Sequence, residues 1–273
     1  MVFDSFPPRA RWFAVIAVML ATSSMVLATT IVNVSIPAIM AEFRMGQEQA
    51  QWLSTGFIGA MAATMLLTSW CVRAFGIRAV YLATMTVFIA ASIAGGTAAG
   101  PDIVTVARIV QGAAGGVIQP LAMIVIFQVF PSDQRGSAMG LYGLAVVLSP
   151  AIGPAAGGLM TQSFGWRSVF VAVLPFCLVG ALMAAKYLPG REERGERPAF
   201  DYPGFALLSM FILALFAGLR SGRSAGGLSG VTILLVVLAL AAGVGFVVRE
   251  HRCAKPLLDL RIFSNRQFAA ASA

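Results

Sequence analysis

Charged residues are scarce in this chain of 273 residues: they make up 11% of it, where soluble domains carry roughly a quarter. With 59% hydrophobic residues and a mean hydropathy of +0.86, an ordinary soluble domain is excluded. Histidine is almost absent; the single His251 rules out a His-rich metal centre and reads as a solvated side chain in a basic segment. The three cysteines, Cys71, Cys177 and Cys253, are odd in number and scattered, so neither a disulfide framework nor a thiolate metal site follows. There is no His-Glu-x-x-His run, no Gly-x-Ser-x-Gly and no pair of intramembrane aspartates, which argues against an enzyme. No ring of carboxylates or filter-like run marks a channel. All 11 acidic residues fall in termini, loops or the ends of apolar runs.

What the chain has instead is apolar runs. They begin near Trp12, Gln51, Val80, Ile103, Gly136, Val169, Tyr202 and Val231, and each approaches the roughly 20 residues that cross a bilayer. The fold class is therefore all-α, a polytopic membrane protein with eight spans. The first run follows Arg9 and Arg11 and faintly resembles a signal peptide, with Leu27-Ala28-Thr29 as a cleavage region. Its length and the seven later runs favour an uncleaved first helix. The net charge of +8 reflects topology rather than nucleic-acid binding. With alternating spans, 14 of the 19 basic residues fall on the side of the N-terminus, against Arg44, Arg167, Arg220 and Arg223 on the other side and Arg108 within a run. The positive-inside rule then places both termini in the cytoplasm. Trp12, Trp52, Trp70, Trp166, Tyr81, Tyr187 and Tyr202 lie at the ends of runs, as an interfacial aromatic belt requires.

The runs fall into groups. Residues 1–188 hold six helices, and residues 189–201 form a charged cytoplasmic linker rich in Arg and Glu. Residues 202–249 hold two further helices, almost entirely aliphatic. Residues 250–273 are a cytoplasmic segment followed by the start of a ninth apolar stretch that stops at Ala273, so the chain reads as cut off. The polar residues within helices belong to the first six, and a pathway is expected there.

Its most informative residue is Arg108, because an ionisable group within a span is costly and is usually kept for a pathway or a partner. Arg108, Gln111, Gly112, Gly115 and Gln119 recur at three- and four-residue steps and share a helical face. Snorkelling of Arg108 to the interface is the plainer alternative. In the next run Ser149, Gly153 and Gly157 form a smooth strip, with Gly158 beside it, while Pro150 and Pro154 are expected to bend or break the helix. Spacing alone fits a packing seam as well as a gate. On the first run Thr22, Thr29 and Asn33 lie on one side, with Thr30 adjacent.

These residues resemble the 14-helix drug:proton antiporter branch (EmrB/QacA type) of the major facilitator superfamily. Ala28-Thr29-Thr30-Ile31-Val32-Asn33-Val34-Ser35-Ile36-Pro37 is similar to that branch's first-helix motif, Asp-x-Thr-Ile-Val-Asn-Val-Ala-Leu-Pro. Arg108-Ile109-Val110-Gln111-Gly112 is similar to its Arg-x-x-Gln-Gly, and Gly153-Pro154-Ala155-Ala156-Gly157-Gly158 matches its fifth-helix antiporter motif. Gly165-Trp166-Arg167-Ser168-Val169-Phe170 and Pro256-Leu257-Leu258-Asp259-Leu260-Arg261-Ile262-Phe263 also resemble stretches of the branch. Ala28 stands in place of the branch's aspartate. The loop after the second run keeps only Gly76 and Arg78 of the cytoplasmic motif, with Ser69 for its first glycine and Arg73 for its aspartate.

The resemblance implies a multidrug or small-molecule efflux transporter of the bacterial inner membrane, with Asn33, Arg108, Gln111 and Gln119 on the substrate or proton pathway. Gly112, Pro150, Gly153, Pro154, Gly157 and Gly158 would serve packing or gating. It implies no cofactor beyond a proton gradient if transport is coupled, and amphipathic or cationic substrates. It also implies a second helical bundle that rocks against the first, with a periplasmic adaptor or second transporter chain as candidate partners and no nucleic acid.

Overall fold

The computed structural model describes residues 7–190, 201–224 and 229–252, and among these every regular element is a helix. In chain order they are α1 (Pro8–Phe43), α2 (Gln47–Met65), α3 (Leu67–Phe75), α4 (Ile77–Gly96), α5 (Pro101–Val129), α6 (Arg135–Phe164), α7 (Ser168–Val171), α8 (Leu174–Tyr187), α9 (Tyr202–Ser224) and α10 (Gly230–Arg252). The chain divides into two compact units, Met1–Gly195 and Glu196–Ala273.

Six spans by length and composition lie among the described residues, and a seventh if α2 and α3 count as one. Eight full spans are expected from the apolar runs; the difference has two causes. The second run is bent by 54° where α2 gives way to α3, beside Thr64, whose hydroxyl reaches the Ala60 carbonyl of its own helix (2.9 Å) and the Ala113 carbonyl of α5 (2.7 Å). A side chain that competes for the helix ladder is a recognised origin of kinks. In α9 only Tyr202–Gly218 is continuously apolar, because Arg220 and Arg223 follow. The sixth run is also interrupted, between α7 and α8, where Pro175 has no N–H to continue the ladder.

In the first unit α5 is the central helix, packed on α2, α4 and α1, while α1 also packs on α6 and α8. One apolar core gathers Val18, Tyr81, Phe88, Leu121 and Cys177, and another gathers Ile31, Ile39, Leu53, Val104 and Phe170. Two residues expected in the aromatic belt are in fact interior. Tyr81 is fully buried and donates to the Ala17 carbonyl of α1 at 2.7 Å. Trp166 is buried and donates to Glu42 at 2.5 Å, which satisfies its indole N–H.

In the second unit α9 and α10 form an antiparallel-connected pair. Asp201 belongs to this unit's packing rather than to a solvated linker. It is buried, caps α9 by accepting from the Gly204 amide at 3.1 Å, and pairs with Arg249 of α10 at 2.7 Å. The rest of the charged linker from 191 to 200, and the segment from 253 that holds the expected ninth helix and Cys253, lie outside the described residues.

Candidate functional site

The α2–α5 seam sets the site. Gly112 and Gly116 let α5 approach the α2 backbone so closely that a Cβ at either would collide with the carbonyl of Phe57 or Met61. These contacts advance in steps of four residues along both helices, and the same step back reaches Arg108 and Leu53. There the Arg108 Nε donates to the Leu53 carbonyl at 3.1 Å. Thr64 and Thr68 extend the seam by donating to the Ala113 and Val117 carbonyls at 2.7 and 3.3 Å. Small residues and interhelical hydroxyl bonds are the means of association where lipid supplies no hydrophobic drive.

Arg108 is fully buried. Its Nη1 donates to Gln111 Oε1 at 3.0 Å and approaches the Ala28 carbonyl of α1 at 3.5 Å, and its guanidinium carbon lies 4.2 Å from the centre of the Phe57 ring. Its Nη2 has no hydrogen-bond partner. Gln111 passes the chain onward: its Nε2 donates to Ser92 Oγ at 2.8 Å, and Ser92 donates to the Phe88 carbonyl of α4 at 2.8 Å. One charge is thus bonded into four helices, α1, α2, α4 and α5. It is balanced by carbonyl dipoles and an aromatic face, and among the described residues no carboxylate pairs with its guanidinium. The hydrogen bonds all run away from Arg108, and no titratable acceptor takes part.

The other sequence-selected residues separate. Asn33 is exposed and accepts from Ser54 of α2 at 2.7 Å, one residue along from Leu53. Gln119 is half-buried on α5 and outside the Arg108 network. Gly115 faces Met25 of α1, so the polar face of α5 is shared by three neighbours. On α6, Gly153 and Gly157 are buried against Thr30 and Ile31 of α1, whereas Gly158 meets nothing and Pro150 and Pro154 are exposed. α6 runs as one helix through both prolines. Gly76 adopts a left-handed φ of 85° between α3 and α4, and Arg78 donates to the Leu188 carbonyl at 2.7 Å.

Ser54, Phe57 and Ser92 were not singled out by sequence. Ser92 is one hydroxyl among many, and main-chain acceptors such as Leu53 O carry no residue signature. The four-residue recurrence of Gly112 and Gly116 was a usable signal for the seam.

A model of the Major Facilitator Superfamily matches residues 18–249. Multidrug export protein EmrB of Escherichia coli (strain K12) is 32% identical over 254 residues, which cover 93% of this chain and 50% of that protein. The methylenomycin A resistance protein of Streptomyces coelicolor is 30% identical over 247 residues, covering 90% and 52%. Among solved structures, the POT family transporter PepTSo superposes with a TM-score of 0.63 at 12% identity, covering 89% of this chain and 54% of that one. The proton:xylose symporter XylE gives 0.59 at 13%, covering 88% and 55%. These two likenesses speak to the fold. The chain spans about half the length of the curated relatives it matches.

Proposed function

The chain belongs to the major facilitator superfamily, a family of multi-pass membrane transporters, and from that membership we propose that residues 1–188 supply the N-terminal bundle of a small-molecule efflux carrier. The observation that carries the reading is the buried Arg108, bonded to α1, α2 and α4 through Ala28, Leu53, Gln111 and Ser92. A charge held at such depth is a feature of pathways rather than of passive spans. Asn33, Gln111 and Gln119 would line that pathway with Arg108. Gly112, Gly153 and Gly157, with Pro150, Pro154 and Gly158 on the outer face of α6, would let helices slide or gate. Gly76 and Arg78 would hold the cytoplasmic turn.

Amphipathic or cationic molecules would leave the cytoplasm across a bacterial inner membrane, and the basic asymmetry of the loops would keep both termini inside. Coupling to a proton would need a carboxylate from beyond the six helices, since Ala28 replaces the one the branch carries on its first helix. A second bundle, from a longer polypeptide or from another chain, would complete the pathway.

Dye transport in energised inside-out vesicles tests this. The chain alone is expected to move no dye in a gradient-dependent way, while its fusion to the C-terminal half of an EmrB-type relative is expected to do so and to lose it on Arg108→Gln. A well-folded fusion indifferent to Arg108→Gln would sink the pathway assignment. Gradient-dependent transport by the chain alone would replace the half-carrier reading with a self-associating one.

A further inference from the structure

A guanidinium offers its N–H donors in a fixed planar fork, and the helices around Arg108 engage only part of it. Nε reaches the Leu53 carbonyl at 3.1 Å, and Nη1 reaches Gln111 Oε1 at 3.0 Å and the Ala28 carbonyl at 3.5 Å. Nη2 is buried without a hydrogen-bond partner among the described residues. A buried donor left unmade is costly, and more so on a charged group.

The charge itself is also unmatched. Among the described residues no carboxylate pairs with Arg108, and Asp102 of the same helix stands six residues, or roughly 9 Å of helix rise, away. Gln111 and the main-chain carbonyls bring only partial charges, and the Phe57 ring, 4.2 Å from the guanidinium carbon, brings a quadrupole. The desolvation of a buried cation is offset by an opposite charge in good geometry. A water molecule would satisfy an N–H and leave the charge unmatched, whereas an anion answers both.

The surroundings set the class of anion. Arg108 is fully enclosed, and Leu53 and Phe57 beside it are buried, which excludes a bulky acid. A divalent ion would carry a surplus negative charge into the bundle, at a further desolvation cost, whereas a monovalent one leaves its centre neutral. Polar groups mark an approach: the exposed Asn33 accepts from Ser54, the residue after Leu53.

We propose that Nη2 of Arg108 binds a small inorganic monovalent anion, chloride in the cell, as the counter-ion of the buried guanidinium. The site shares its arginine with the transport reading but does not rest on it. The two are read by different measurements, anion-dependent stability and dye movement, so either can fail without the other.

Thermal unfolding of the purified full chain in dodecyl maltoside tests it, with chloride exchanged for gluconate at constant ionic strength. A tenfold excess of chloride over its Kd is expected to raise the midpoint by roughly 4 °C, saturably, with bromide and nitrate equivalent and sulfate inert. Arg108→Gln should abolish the response. Ala28→Asp, which sets a carboxylate on the residue that Nη1 approaches, should abolish it while keeping the arginine. Broadening of the chloride-35 NMR line by the wild-type chain, relieved by bromide, reads binding without any variant. Three results would each overturn the proposal. They are the absence of both broadening and a chloride-specific shift, a full response in well-folded Arg108→Gln, which would put the anion elsewhere, and displacement of chloride by benzoate, which would make Arg108 a receptor for organic acids.

Discussion

The six-run bundle and the α9–α10 pair bury polar groups in different places. In the bundle most of them lie inside helices, Thr22, Ser24, Thr84, Arg108, Gln111 and Ser149 among them, with Thr68 at the start of α3. In the pair the buried polar residues are Asp201, Thr232 and Glu250, at the helix ends, and the stretches between them are aliphatic. Polar groups at helix ends fix caps and the orientation of a hairpin. Polar groups at mid-helix have no such need; the hydroxyls of Thr22, Ser24, Ser92 and Ser149 donate to the carbonyl four residues back in their own helix, while Arg108 and Gln111 reach other helices. The bundle therefore carries interhelical polar bonds along the length of its helices, around Arg108 and on the α2–α5 seam, whereas the pair carries its own at the helix ends.

Glycine substitutions should break the two regions unequally, and by the largest margin. Gly112→Ala drives a Cβ into the Phe57 carbonyl, and because backbone cannot swing aside as a side chain can, the bundle should lose about 3 kcal/mol. Gly245→Ala in α10 meets only Leu207 at an ordinary 3.4 Å, and should be neutral or up to about 1 kcal/mol stabilising through better helix propensity. Thermal unfolding in detergent compares them; equal costs would remove the distinction between close backbone packing and loose side-chain packing.

Next in size is a charge test. Ala28 lies at Arg108 Nη1 through its carbonyl, so Ala28→Asp should create an ion pair in the bundle. In a double-mutant cycle with Arg108→Gln, a coupling of about 2 kcal/mol is expected, with Ala28→Asp destabilising on its own in the Arg108→Gln background. Zero coupling would mean that position 28 does not address the guanidinium.

Asp201→Asn should cost the pair about 1 kcal/mol, because the cap survives in part and Arg249 is 38% exposed, which weakens the ion pair. Hydrogen exchange should quicken at the start of α9 and leave α5 unchanged. The smallest effect belongs to Glu42→Gln. Its bonds to Trp166 and Arg167 tie α1 to the segment before α7, yet the ion pair is about 40% exposed on both sides, so thermal unfolding is expected to shift only slightly. A larger shift would show that this end of the bundle depends on the pair.

The positions of the helices were legible because apolar runs and their flanking Gly, Pro and charged residues are local signals. The burial of Arg108 beside Gln111 followed from three-residue spacing. Partners on other helices did not: Leu53 accepts through its main chain, which every residue possesses, and Phe57 is one of 19 phenylalanines. The prolines of α6 do not interrupt it.

Two of the arginines counted in the expected basic asymmetry of the loops also close helices. Arg78 donates to the Leu188 carbonyl at the end of α8, and Arg135 to the Phe130 and Phe127 carbonyls at the end of α5, where a cation also complements the helix dipole. The side chains expected to orient the chain are therefore also ones that hold its helix ends. An experiment that neutralises these arginines to invert the protein in the membrane would fray two helices as it does so. Lysine at these positions would separate the effects: it keeps the charge that the insertion machinery reads and gives up the planar guanidinium that reaches the carbonyls.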